Sequence, residues 1–257
     1  MIERALSISL TGLAFPATPL LATDPRALIT WAVGFLGKSP IRAVQLDATM
    51  PGIRARELDR SARRDLASLM RRHGLLFSGL DFWIPPEHFA SSSQADRALA
   101  AVKGAISLTA ELASLTQSPQ GRVVCLELPE TPFGDVTGEI SQTAQSEAVE
   151  VADFRIARAK SAAPLGGPIG VGIDPATLLA AGLDPASHIA KLSATPIAAR
   201  LCDWTGGGRC ELGKGRLDRL TYEATLATKG LSRPIVLDLR GLHDADRAAK
   251  AALDMTL

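Results

Sequence analysis

Acidic side chains close most of the apolar runs in this sequence, and their type and spacing could do chemistry. In chain order these acids are Asp47, Asp81, Glu127, Asp153, Asp174, Asp203 and Asp238, with Arg200 and Arg240 close to the last two. Carboxylates that meet in one place repel one another unless a cation neutralises them. The pattern predicts either a divalent metal site or a network of carboxylates and arginines, in which a carboxyl group could also transfer protons.

The acids differ in how strongly they indicate a function. Glu127 stands between two leucines, an apolar setting that raises a carboxyl pKa and suits acid–base catalysis, although a shift of one residue would make it a solvated acid. Asp238 and Arg240 point to the same side of a strand, so they predict either a functional pair or a structural ion pair. Asp174 precedes a proline, a combination that also caps a helix. For Asp153 a structural role is favoured.

Loops after the apolar runs carry further candidates. His88 follows two prolines and is predicted to transfer protons; the alternative is that it is a surface-loop histidine without a functional role. Trp83 in the same loop predicts stacking on a sugar ring or plain packing. Lys214 stands between two glycines, and such a turn either binds a phosphate or simply leads into a helix. Arg200 predicts either an ion pair with Asp174 or Asp238 that replaces the charge of a metal, or binding of a substrate carboxylate or phosphate, and Arg240 would strengthen either role.

Short apolar runs alternate with amphipathic segments, a pattern typical of parallel βαβ units. Eight units in 257 residues predict a single α/β domain over 1–257, a (β/α)8 TIM barrel, with an open doubly wound sheet as the alternative. Active sites of this barrel lie at the carboxyl ends of the strands, where the acids would meet. The predicted strands are 6–10, 41–47, 75–84, 123–128, 149–154, 169–173, 196–202 and 235–239.

Composition limits the classes of function. A hydrophobic share of 46% excludes intrinsic disorder, and a net charge of +1 gives no field that would attract nucleic acid or an anionic membrane. Three cysteines are too few for a disulfide framework and favour a reducing compartment. Because the apolar segment 5–21 contains prolines and follows an acid, we interpret its start as a buried strand rather than a signal peptide and expect a cytoplasmic protein.

Five segments match a known family in their order and spacing. They are AVQLDA (43–48), GIDPATLLAAG (172–182), ARLCD (199–203), LGKGRLD (212–218) and PIVLDLRG (234–241). Together they resemble the xylose isomerase-like TIM barrels, a family of sugar phosphate isomerases and epimerases that also includes apurinic endonucleases. The resemblance covers most of the chain and implies a barrel that acts on a carbohydrate.

The resemblance also implies a divalent metal such as Mn, Mg or Zn, held by acids that end strands five, six and eight and by a histidine on strand seven. The matching acids are Asp153 or Glu127, then Asp174 and Asp238, which makes Asp153, Asp174 and Asp238 the expected ligands. Arg200, however, stands at the place of the histidine. A guanidinium is a permanent cation with donors only, so it cannot bind a metal, and the metal site is expected to be degenerate.

Two functions are consistent with these residues. The first is a sugar or sugar-phosphate isomerase or epimerase in which Glu127, His88 and Asp238 are catalytic. The alternative is a barrel without catalysis that binds a sugar acid or phosphate through Arg200 and Arg240, since an arginine and a threonine replace two histidines of the family. Both functions predict a small carbohydrate or sugar acid as partner, and neither sets the oligomeric state.

Overall fold

Eight parallel strands close into a barrel, which confirms the predicted fold class. The structure, a computed structural model, describes residues 6–13, 23–155 and 167–254. The barrel strands follow one another around the ring in chain order, as in a TIM barrel. They are β1 (Leu6–Ser9), β2 (Ala43–Asp47), β3 (Leu76–Asp81), β4 (Val123–Leu126), β5 (Glu150–Asp153), β6 (Ile169–Ile173), β7 (Ala198–Leu201) and, after the short strands β8 (Asp203–Thr205) and β9 (Gly208–Cys210), β10 (Ile235–Leu237).

Helices connect the strands and cover the outside of the barrel. Several begin at an aspartate whose carboxylate accepts a backbone N–H of the first turn, as Asp59 and Asp184 do. The cap predicted at Asp174 is also present, because its Oδ1 accepts the N–H of Thr177. The helices are α1 (Pro25–Leu36), α2 (Arg60–Arg72), α3 (Glu87–Ala90), α4 (Ala95–Leu115), α5 (Val136–Ser146), α6 (Pro175–Ala180), α7 (Pro185–Ala190), α8 (Arg219–Thr228) and α9 (Ala245–Asp254).

The main apolar core lies between the barrel and its helices. Leucine, isoleucine and valine side chains of the strands pack there against α1, α2 and α4. Among the described residues, α4 is long and apolar enough to cross a membrane, but 56% of its most apolar window is buried inside the protein, as in a core helix. Of the apolar segment 5–21, residues 6–9 form β1 as predicted, while residues 5 and 14–21 lie outside the described residues.

The carboxyl end of β7 continues into a small hairpin that the sequence analysis did not predict. Among the described strands, β8 and β9 pair with each other alone, in antiparallel register from Asp203 opposite Cys210 to Thr205 opposite Gly208. Runs of three residues are too short for a periodic signal, and the glycines at 206 and 207 form the turn. The hairpin returns the chain to the mouth of the barrel and places Arg209 there.

Candidate active site

Three aspartates from distant parts of the chain meet one buried arginine at the carboxyl end of the barrel. Asp81 ends β3, Asp174 follows β6 and Asp238 follows β10. Arg200 of β7 lies between them. Its Nη2 is 3.1 Å from Asp81 Oδ1 and its Nη1 is 3.4 Å from Asp174 Oδ2. Its Nε is 3.5 Å from Asp238 Oδ2.

An aromatic ring also contacts the guanidinium group of Arg200. Its Cζ lies 3.7 Å from the centroid of the Phe154 ring. A side chain on Gly172 would collide with that ring, since an added Cβ would lie 2.6 Å from it. The Arg200 side chain is only 4% exposed and its nitrogens face carboxylates. Arg200 therefore forms the ion pairs with Asp174 and Asp238 that were one of its two predicted roles, while its contact with a substrate anion stays a prediction.

Two further arginines close the same network from the solvent side. Arg209 of the hairpin bridges two acids: its Nη1 is 2.9 Å from Asp238 Oδ2, and its Nη2 bonds Asp174 Oδ2. Arg240 places Nη2 2.8 Å from Asp238 Oδ2 and Nη1 3.4 Å from Asp81 Oδ2. We call these six residues, Asp81, Asp174, Asp238, Arg200, Arg209 and Arg240, the ion-pair network.

The network keeps Asp174 and Asp238 ionised. Burial alone would raise the pKa of Asp238, but the guanidinium groups of Arg200, Arg240 and Arg209 outweigh it and lower that pKa far below its usual range. The pKa of Asp174 is lowered too, because Arg209 and Arg200 outweigh the effect of burial. Three carboxylates thus face three guanidinium groups, and the network is close to neutral as a whole.

Glu127 lies at the same end of the barrel but outside the ion-pair network. It follows the last residue of β4 and is half-buried. Burial raises the pKa of its carboxyl, with the charges of Arg200 and Arg240 acting against the rise and that of Asp174 adding to it. Among the described residues, no hydrogen bond or ion pair engages this carboxyl group. Glu127 is therefore a titratable group without a structural partner beside a site whose other charges are paired.

A second carboxyl group with a raised pKa stands at the end of β2. Burial raises the pKa of Asp47, and the charge of Asp81 adds to the rise. Hydrogen bonds from Thr49 to Asp47 act in the opposite direction, through Thr49 N at 2.7 Å and Thr49 Oγ1 at 2.5 Å. Unlike Glu127, Asp47 therefore has hydrogen-bond partners, in the loop that follows β2.

The aromatic and histidine candidates lie in the loop after β3. Trp83 is 52% exposed, and the Cζ of Arg240 lies 4.9 Å from its ring centroid, so the ring borders the ion-pair network. His88 is on the short helix α3 and half-buried. In the described part of the chain, no hydrogen bond or ion pair joins the His88 side chain to the network. Glu127 is thus the better supported proton carrier.

Phosphate binding at Lys214 stays a prediction, but backbone donors of its turn already have a partner within the protein. The backbone N–H groups of Gly213 and Gly215 donate to Oδ2 of Asp203, at 3.1 and 3.0 Å, and the N–H of Leu217 donates to Oδ1. Asp203 is fully buried and serves as the anion that this turn requires. The Lys214 side chain is exposed and lies on a turn whose donors are already occupied.

The expected metal ligands are only partly brought together. One donor atom from each of Asp174, Cys202 and Asp238 lies within 4.8 Å of the others, a group that could hold a metal ion. Asp153 is absent from this group among the described residues. Its Oδ1 instead accepts the N–H groups of Leu128 and Arg155, at 3.2 and 3.0 Å, and so shapes the loop that carries Glu127.

The chemistry of this donor group does not fit a divalent cation. Burial raises the pKa of the Cys202 thiol well above its usual value, so a metal would have to displace a tightly held proton there, and the sulfur contacts Asp174 Oδ1 at 3.3 Å. The remaining oxygens of Asp174 and Asp238 already contact guanidinium nitrogens. Two unit charges about 4 Å apart repel by about 4 kcal/mol at an effective dielectric of about 20, and a divalent ion beside one arginine doubles that repulsion.

Sequence reasoning missed three contributors to the site. Asp81 was recognised as a strand-terminal acid but was not assigned a role, and Cys202 was weighed only as a cysteine. Arg209 was not considered, because its position depends on the unpredicted hairpin. The glycine run from Gly206 to Gly208 is the signal that could have predicted a turn and hence a return of the next residue to the barrel mouth.

Comparisons with known proteins support the fold. No family model and no curated protein matches the sequence. A xylose isomerase domain protein from Planctomyces limnophilus is similar with a TM-score of 0.68 at 15% identity, covering 98% of this chain and 95% of that chain. A xylose isomerase-like TIM barrel protein from Mycobacterium smegmatis, in complex with magnesium, gives a TM-score of 0.67 at 11% identity and covers 99% and 97%.

The IOLI protein with a bound zinc atom gives a TM-score of 0.63 at 16% identity, covering 98% of this chain and 97% of that chain. Further similar structures are sugar isomerase-like and epimerase-like barrels. Identities at this level establish architecture and leave the activity to the residues of the site. The chain has the fold of the xylose isomerase-like TIM barrels, as its five sequence segments imply.

Proposed function

We propose that this protein is a sugar isomerase or epimerase that moves a proton at the carbon beside a carbonyl group. The observation that carries the proposal is Glu127, a half-buried carboxyl with a raised pKa and no partner among the described residues, in a place where the charges of Arg200 and Arg240 act on it. Proton transfer from carbon requires a base near its working pH and a positive group for the oxygen that becomes charged. Sugar isomerase-like and epimerase-like neighbours are consistent with this chemistry.

The reaction assigns one task to each part of the site. The Glu127 carboxylate removes the proton from the carbon next to the carbonyl, and the C–H electron pair forms a carbon–carbon double bond. The π electrons of the carbonyl move to its oxygen, where a guanidinium stabilises the charge of the enediolate. Return of the proton to the former carbonyl carbon, with transfer of the hydroxyl proton to the other oxygen, gives the isomer. Delivery of a proton from water to the opposite face of the original carbon, with re-formation of the original carbonyl group, gives the epimer, and Glu127 then loses its proton to water.

The site favours a small neutral sugar over a strongly anionic one. The charges of the ion-pair network balance, while Glu127 and Asp47 add negative charge whenever they ionise. Exposed Trp83 offers an aromatic face of the kind that packs against the apolar side of a sugar ring. Hydroxyl groups of such a substrate would donate to the carboxylate oxygens at the mouth of the barrel.

Deuterium exchange tests the proposed function. Wild-type protein is incubated in D2O with a panel of ketoses of three to six carbons, and loss of the C–H signal is followed by NMR. We expect exchange with at least one ketose, reduced about 10²- to 10⁴-fold in Glu127→Gln. Glu130→Gln is the matched control, because Glu130 is an exposed acid of the same loop. An absence of exchange with every ketose, or equal exchange in the Glu127→Gln variant, would overturn the proposal.

An anion-binding barrel remains the second candidate function. One buried nitrogen of the network, Arg240 Nη1, has an ion pair with Asp81 at 3.4 Å but no hydrogen bond to any described residue, and the Cζ of the same guanidinium group lies 4.9 Å from the ring centroid of exposed Trp83. A bound carboxylate or phosphate could accept that hydrogen bond. A rise in the melting temperature with gluconate or inorganic phosphate, lost in Arg240→Met and accompanied by no ketose exchange, would favour this function over the isomerase.

A further inference from the structure

We propose that the guanidinium group of Arg209 is the resident cation of this site, bridging Asp174 and Asp238 in place of a divalent metal and polarising the substrate's carbonyl oxygen. The polarising role rests on the proposed function, whereas the bridging role does not. The positive group that polarises the carbonyl oxygen would then be a side chain of the protein, carried by the hairpin that follows β7.

The bridge is the first observation behind this proposal. The two terminal nitrogens of Arg209 bind the Oδ2 atoms of Asp174 and Asp238, which are also two of the three donors of the candidate metal group. Both acids are almost completely buried. A buried pair of carboxylates needs a cation between them, and Arg209 supplies a charge that is present at every accessible pH.

Access to a substrate distinguishes Arg209 from the other two arginines. Its side chain is 20% exposed, against 4% for Arg200 and 13% for Arg240. The Nε of Arg240 donates to Asp238 at 3.0 Å. The Nε–H of Arg209 makes no hydrogen bond to any described residue, so this donor is available to a ligand. A carbonyl oxygen that developed negative charge could accept this hydrogen bond.

The hairpin explains how the group is held in place. The ladder between β8 and β9 pairs Trp204 with Arg209, and Asp203, at the start of the hairpin, is anchored by N–H groups of the 213–217 turn. Gly241 lies beside the stem of Arg209, since a Cβ added there would be 3.7 Å from its Cδ. The cation is thus positioned by a short rigid element and not by a long mobile loop.

Chemical rescue tests the bridging role. Arg209→Ala removes the guanidinium, and millimolar methylguanidinium is added as its replacement. We expect methylguanidinium to raise the melting temperature of Arg209→Ala and to leave wild type unchanged. The matched control is Arg247→Ala, because Arg247 also pairs with two acids, Glu211 and Asp244, but at the surface. A failure of methylguanidinium to stabilise Arg209→Ala, or equal stabilisation of Arg247→Ala, would overturn the proposal.

Metal titration of wild-type protein decides the same question if Arg209→Ala does not fold. Calorimetric titration of chelator-treated protein with MnCl2 or ZnCl2 is expected to show no stoichiometric binding. Binding of one ion per chain that is lost in Asp174→Asn would overturn the proposal.

The polarising role is measured in the ketose exchange assay. Exchange that survives chelation, falls at least tenfold in kcat in Arg209→Ala and recovers with methylguanidinium supports it. Exchange that requires added metal overturns the inference and leaves the proposed function standing. If no ketose exchanges, the proposed function fails together with the polarising role, while the melting temperatures still decide whether Arg209 is the bridging cation.

Discussion

Replacing Arg200 by methionine tests whether the ion-pair network stabilises the barrel. Removal of one partner from a buried ion pair costs about 3–5 kcal/mol, because the other charges stay buried. After the change Asp174 and Asp238 keep Arg209, and Asp81 keeps only Arg240 at 3.4 Å. We therefore expect a loss at the lower end of that range, about 3 kcal/mol in the free energy of unfolding.

Urea unfolding near neutral pH measures this loss. The matched control is Arg26→Met, since Arg26 pairs with Asp65 at 3.8 Å at the surface, with side chains 61% and 52% exposed. Exposed pairs contribute about 0–1 kcal/mol, so the control should be close to wild type. In thermal unfolding a loss of about 3 kcal/mol corresponds to a melting temperature lower by about 6–12 °C.

The dependence on pH provides a second readout. Because the pKa values of Asp174 and Asp238 are lowered in the folded protein, their contribution to stability is complete above the unfolded value of about 3.9 and is lost as the pH falls further. The stability gap between wild type and Arg200→Met should therefore shrink in acid. Equal stability of the Arg200 and Arg26 variants near neutral pH, or a gap that widens below about pH 4, would refute the reasoning.

Three further outcomes follow from the site. Glu127→Gln should keep the free energy of unfolding, measured in urea, within about 0.5 kcal/mol of wild type. In wild type, the rate of ketose exchange should fall as the pH drops through the raised pKa of Glu127, because the base must be ionised. Iodoacetamide should modify Cys210 in the folded protein and spare Cys125, whose buried thiol has a pKa raised to about 12; peptide mass spectrometry distinguishes the two. Asp203→Asn should cost about 1–3 kcal/mol in urea unfolding, because its carboxylate accepts the N–H groups of the 213–217 turn, and an unchanged midpoint would contradict that anchoring role.

The sequence was sufficient to predict the barrel because most strands are short apolar runs that alternate with helical segments. The same regularity predicted that acids at the ends of strands would share one end of the barrel, and Asp174, Arg200 and Asp238 do meet there. For Asp174 the capping alternative is confirmed, since one oxygen caps α6, and the other oxygen pairs with arginines; its functional role stays a prediction.

Other features depend on contacts that no local pattern reveals. Arg209 reaches the acids only because two three-residue strands fold back on themselves. The turn around Lys214 has the glycines of a phosphate site, but Asp203, ten residues before Gly213, supplies the anion. That Glu127 lacks a partner could be recognised only after the charges around it were seen to be paired.

Anomalous diffraction from crystals grown with MnCl2 tests the central claim most directly, namely that guanidinium groups and not a metal hold Asp174 and Asp238 together. We expect electron density for Arg209 bridging the two carboxylates and no anomalous peak between them. A manganese peak bonded to Asp174 and Asp238, with Arg209 displaced from both, would contradict it.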